Sequence, residues 1–155
     1  MKKTSWLCSA SLLLLNSLLG QIVNPLSVEP PQKLIIHRGQ SATVKLHAKI
    51  DPGYHVNSNK PHEAYLIPMR MTLIADPLIV ESVKYPVGHD EKYTFSEQPL
   101  SVVTGNFEVL VTIKAPQNIE PQMHVLLGKL RYQACSDKAC LAPKTVEIHI
   151  TADLR

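Results

Sequence analysis

Cysteine is scarce in this 155-residue chain: Cys8, Cys135 and Cys140 are the only three. Structural zinc needs four Cys/His ligands, often in closely spaced pairs, and one such pair exists here, so half of a metal site is the weakest reading of it. Charge of one sign is also lacking. Sixteen Lys and Arg stand against 13 Asp and Glu, a formal net of +3, which offers no electrostatic case for nucleic acid or anionic lipid. A Gly-rich phosphate loop, a Ser/His/Asp arrangement and a paired-carboxylate site are all absent, leaving nucleotide and hydrolytic chemistry without support. Internal repeats, a second domain and a convincing amphipathic helix are missing too. The expected partners therefore exclude nucleic acid, and no cofactor or metal is expected.

What is present begins with a leader. Residues 1–20 read as a secretory signal: Lys2 and Lys3 supply the positive start, and Leu12–Leu15 with Leu18 and Leu19 the apolar run. The run is short for a membrane span and is interrupted by Asn16; a retained anchor is the alternative. Cys8 lies inside this segment, too early for lipid attachment. Removal leaves two cysteines, an even count suited to an oxidising periplasmic or secreted setting. It also removes two of the 16 basic residues, leaving 14 against 13 acidic ones. The remaining chain is long enough for one two-layer core, and a monomer is expected.

Residues 21–33 are Pro-rich and read as an extended lead-in to a domain spanning 34–155. Within it, Ser41–Ile50 alternates Ala42, Val44, Leu46, Ala48 and Ile50 with Thr43, Lys45, His47 and Lys49, the period of a half-buried strand. Asp51-Pro52-Gly53 is a turn. Further strands are expected at 34–37, 54–57, 66–74, 78–85, 100–103, 107–114, 123–132 and 145–150, with Pro68 implying an edge or bulge. Residues 87–98 read as a polar loop. Short strands with a turn signal about every ten residues fit an all-β sandwich, with an up-and-down barrel second.

The runs Met123–Tyr132 and Thr145–Ile150 flank Cys135-Ser136-Asp137-Lys138-Ala139-Cys140. If they pair as a hairpin, Ser136–Ala139 form a four-residue loop and the cysteines face each other with Cα atoms about 4.5–5.5 Å apart, within disulfide reach. A ring this small removes about 2 kcal/mol of unfolded-chain entropy, so it is a poor staple, and in a polar loop it is open to attack by another thiolate. A redox-active pair and a non-catalytic interaction module with a structural hairpin disulfide both stand on the residues alone. Lys138 would favour a thiolate and Asp137 oppose it. Met69 and Met71, on one face of a strand, with His55, His124 and the cysteines, raise a copper-binding alternative.

Three segments carry a family resemblance: Gly53-Tyr54-His55-Val56-Asn57-Ser58-Asn59-Lys60-Pro61, Tyr65-Leu66-Ile67-Pro68, and Tyr132-Gln133-Ala134-Cys135 through Cys140-Leu141-Ala142-Pro143. Together they resemble the N-terminal periplasmic domain of the thiol:disulfide interchange protein DsbD and the stand-alone disulfide bond corrector proteins. The resemblance implies an immunoglobulin-like antiparallel β-sandwich. It implies that Cys135 and Cys140 relay reducing equivalents from a thioredoxin-like or membrane electron-transfer protein to oxidised periplasmic clients. Cys140 would form the mixed disulfide and Cys135 would resolve it. A cap loop with an aromatic ring covers the cysteines in that family; here Asp90, Glu91, Tyr93 and Phe95 sit in the corresponding stretch, with Phe95 the first choice of ring and Tyr93 the second. His55, Asn57, Tyr132 and Lys138 are the supporting candidates, His55 as a proton donor or acceptor and Tyr132 as a core ring. The chain departs from the best-known member in having one residue fewer between its cysteines, and His55 and Asn57 where that member has tyrosines. Its cap motif also has no clean copy here.

Overall fold

The computed structural model describes residues 23–155; the leader and Cys8 lie outside the described residues. Twelve strands form, with no helix among the described residues. The first sheet runs β1 (Leu26–Val28), β3 (Ser41–Ile50), β9 (Asn106–Lys114), β6 (Ile79–Lys84), all antiparallel. The second runs β2 (Leu34–Ile36), β12 (Lys144–Leu154), β10 (Met123–Tyr132), β5 (Arg70–Ile74), antiparallel except for the β2–β12 pair. A smaller sheet, β11 (Ala134–Cys135), β4 (His55–Asn57), β8 (Leu100–Val103), β7 (His89–Glu91), holds the cysteines.

The alternation read from the sequence produces this core. Val44, Leu46, Ala48 and Ile50 of β3, Val109, Val111 and Ile113 of β9, Leu126 and Leu130 of β10 and Ile148, Ile150 and Ala152 of β12 are buried in one cluster. Their strand neighbours are mostly polar and exposed. Period-two burial on facing strands is what a two-layer β-sandwich requires, and the fold is immunoglobulin-like. Met69 and Met71 belong to the same apolar cluster. Among the described residues no group of three or more His, Cys, Asp or Glu is arranged to hold a metal ion.

Four local differences from the sequence reading have physical causes. The lead-in contributes β1, because Leu26 is buried and Leu26–Val28 pair with Ile50–Ala48. The polar loop contains β7, whose residues pair with β8 although all three are exposed. The 66–74 strand starts only at Arg70. There the backbone of Ile67 finds side chains instead of a ladder: Asn57 Nδ2 donates to its carbonyl at 3.1 Å and its N–H donates to Gln133 Oε1 at 3.4 Å. The last concerns the hairpin. β10 and β12 pair from Met123↔Asp153 to Tyr132↔Lys144, but the cysteines do not continue that ladder. Leu141 N–H bonds to the Ala134 carbonyl at 2.8 Å, so residues 142 and 143 oppose Gln133 alone, and Ala134–Cys135 cross to pair with β4.

Candidate functional site

Cys135 and Cys140 are joined by a disulfide and form an antiparallel bridge with Cα atoms 3.8 Å apart, closer than the spacing expected for an ordinary ladder pair. The loop between them is self-contained. Ser136 N–H donates to the Ala139 carbonyl at 2.9 Å, and Ser136 Oγ accepts from the N–H groups of Lys138 and Ala139 at 3.2 and 3.3 Å. The two sulfur-bearing residues differ in environment: Cys135 is fully buried in β11, whereas Cys140 is exposed, as are Asp137 and Lys138.

Behind the pair, β4 is buried on both faces. Val56 points into the main core, which sends His55 and Asn57 to the other face of the strand. His55 stands directly across from Cys135 in the ladder. It is only 2% exposed. Burial lowers its pKa, the Glu91 carboxylate opposes that shift, and His89 reinforces it. Asn57, also buried, donates from Nδ2 to Gln133 Oε1 at 3.2 Å as well as to Ile67. Gln133 Nε2 donates in turn to the Leu141 carbonyl at 3.2 Å. Gln133 therefore fastens both limbs of the cysteine loop to β4 and to the 66–69 segment. Its place beside the first cysteine was part of the sequence signature, but its partners, 76 and 66 residues away, could not be read from it. Tyr132 is a core ring, 1% exposed, and burial raises its pKa.

Over His55 lies the 89–98 stretch. Tyr93 stacks on the imidazole with ring centroids 3.9 Å apart and planes 18° from parallel. Phe95 continues the stack, 5.6 Å from Tyr93 and 6.5 Å from His55. Tyr93, second choice from the sequence, is thus the ring in contact with His55, and Phe95 lies outside it. Burial, and then its hydrogen bond to Glu91, push the Tyr93 hydroxyl pKa up; the same bond lowers the Glu91 carboxylate. Between these rings, Thr94 Oγ1 donates to the Asp137 carbonyl at 3.1 Å, which joins this stretch to the cysteine loop. Asp90 points away and pairs with His62 at 2.7 Å. Lys138 is at the exposed loop tip.

A cleft of about 500 Å³ opens beside the stack. Its walls include two turns in which Gly53 (φ 82°) and Gly105 (φ 64°) adopt the left-handed backbone, together with His55, Tyr93, Glu91 and Asp137.

An immunoglobulin-like domain that ends in an accessible short-ring disulfide belongs to the class able to exchange disulfides with other thiols. Residues 23–152 match the family described as thiol:disulfide interchange protein DsbD, N-terminal, and the chain belongs to that family of thiol–disulfide exchange domains. Among solved structures, the N-terminal periplasmic domain of ScsB from Proteus mirabilis matches with a TM-score of 0.53 at 11% identity. The match covers 81% of this chain and 44% of that one, so the chain spans less than half of that relative's length. The Neisseria meningitidis DsbD N-terminal domain in its reduced form gives a TM-score of 0.46 at 16% identity, over 75% of this chain and 82% of that one. Among curated proteins nothing matches.

Proposed function

We propose that this chain is an extracytoplasmic relay for reducing equivalents, acting through Cys135 and Cys140 between a thioredoxin-like donor and oxidised client proteins. The observation that carries the reading is the asymmetry of the disulfide: an exposed Cys140 bonded to a fully buried Cys135. An incoming thiolate must approach one sulfur along the S–S axis, and only the Cys140 side is open. Attack there forms a donor–Cys140 disulfide and expels Cys135 as thiolate. A second donor thiol then completes reduction. In the forward direction the Cys140 thiolate attacks a client disulfide, and Cys135 resolves the intermediate.

Tyr93 and Phe95 act as the cover of the buried Cys135 side, held down by the Thr94–Asp137 bond. The ring of Tyr93 lies on His55. A partner that displaces this stretch gains access to both sulfurs.

Trapping tests the proposal. Cys135→Ser, reduced and mixed with periplasmic extract or a purified thioredoxin-like protein, should accumulate a disulfide-linked adduct at Cys140 that a thiol reductant releases. The relay reading fails if neither a thioredoxin-like protein nor an oxidised client is captured while Cys140 remains alkylatable.

A further inference from the structure

His55 carries a ring nitrogen that the disulfide form leaves unsatisfied. Its Nε2 is enclosed and has no hydrogen-bond partner, although buried polar atoms are nearly always paired. The β4–β11 register sets His55 opposite Cys135, and opposed residues on neighbouring antiparallel strands project to one face with Cβ atoms about 4.5–5.5 Å apart. In the oxidised form the Cys135 sulfur is bonded to Cys140 and has no proton to offer. Reduction places an S–H group on that face, where the orphan nitrogen can accept it.

We propose that His55 is the proton acceptor for the resolving thiol of Cys135. This rests on the exchange reading above and extends it to the second half of the reaction. The neutral imidazole takes the proton from the Cys135 S–H group. The resulting thiolate attacks the Cys140 sulfur of the mixed disulfide; the Cys135–Cys140 bond forms and the Cys140–client bond breaks. The client sulfur leaves with the electron pair and takes up the proton from the imidazolium. The client disulfide gains two electrons and the domain's dithiol loses them.

The surrounding groups suit a base that is charged only in passing. Burial favours the neutral ring, and the Glu91 carboxylate of β7 favours the imidazolium once it forms. His89 on the same strand opposes the charge. Tyr93 covers the ring face. Asp137 of the cysteine loop and Lys49 and Asp51 of the opposite wall share the cleft that His55 lines. On β8, the other neighbour of β4, Leu100–Val103 carries no titratable side chain.

The test separates the two halves of the reaction. Reduced protein is mixed with a nitrobenzoate aryl disulfide, which releases a coloured thiolate once when Cys140 attacks and again when Cys135 resolves. The wild-type second release should rise with pH through an inflection below the ordinary histidine value. His55→Phe keeps a ring beneath Tyr93; it should remove the inflection and slow the second release relative to the first by roughly 100-fold near pH 7. An unchanged profile in the variant overturns the role of His55. Absence of a second release from wild type overturns the exchange reading itself. Should His55→Phe not fold, the ring-nitrogen NMR shifts of wild-type His55 decide: they should differ between oxidised and reduced protein, and identical shifts overturn the inference.

Discussion

The two large sheets and the small one solve different problems with the same strand geometry. In the large sheets, inward side chains are apolar and outward ones mostly polar, so burial is uniform in chemistry. In the small sheet and the segment leaving it, polar residues are sealed inside: His55, Asn57, Ser58 and Ser101 are the buried polar residues among those described. Burying a polar group is unfavourable unless it is paired. Asn57 and the two serines are paired, Ser101 Oγ donating to Ser58 Oγ at 2.9 Å. His55 Nε2 and Asn57 Oδ1 are not. The difference teaches where to look: two of the three unpaired buried side-chain atoms among the described residues lie on β4, the strand paired with Cys135, and the third, His124 Nε2, lies at the other end of β10 from the cysteines.

Four substitutions and one titration would break or sharpen that contrast. Cys140→Ala should abolish exchange with a thioredoxin-like protein completely while lowering stability by no more than about 2 kcal/mol, as measured by insulin-type turnover and urea unfolding. Leu130→Ala, near the C-terminal end of β10 and fully buried, should do the reverse. It should cost about 2–5 kcal/mol in urea unfolding and leave the folded fraction able to exchange. Gln133→Ala removes the fastening of both loop limbs and should cost about 1–3 kcal/mol, with amide exchange rising at Ile67 and Leu141 before the large sheets respond. Gly88→Ala acts on the root of the cover. A Cβ there would lie 2.6 Å from Ser101 Oγ and 2.7 Å from Ser58 Cβ, so β7 must shift, and a small thiol should reduce the disulfide several-fold faster.

The smallest effect is on pH. His55 binds its proton less readily folded than unfolded, so between the lowered value and the ordinary 6.5 the unfolded chain holds more protons and acidification destabilises the fold. Stability should fall as pH drops below 6.5 with a slope no steeper than about 1.4 kcal/mol per pH unit. In His55→Phe that component should vanish from pH-dependent urea midpoints.

The same contrast governs what was legible in the sequence. Strands such as Ser41–Ile50 announce themselves because one face meets the core and the other meets water. The short strands of the small sheet lack that signal. His55-Val56-Asn57 is buried throughout and His89-Asp90-Glu91 exposed throughout, so neither shows alternating exposure, and β4 takes its partners from chain segments tens of residues away. The cysteines could be recognised from local spacing, whereas their crossing from the β10–β12 hairpin to β4 depends on Gln133 and Asn57 meeting in space. Likewise the stack of Tyr93 on His55 joins a loop to a strand 38 residues earlier by number, and no periodicity encodes it.

Gln133 also bears on how the site tolerates change in length. It secures the loop at its base, through Asn57, Ile67 and Leu141, so the frame that holds Cys135 in β11 does not depend on the four residues that close the ring. Insertions or replacements confined to Ser136–Ala139 therefore alter the tip while leaving its mounting intact. The mounting and the tip of this loop are separate parts: length and composition can vary at Ser136–Ala139 without touching the bonds of Gln133.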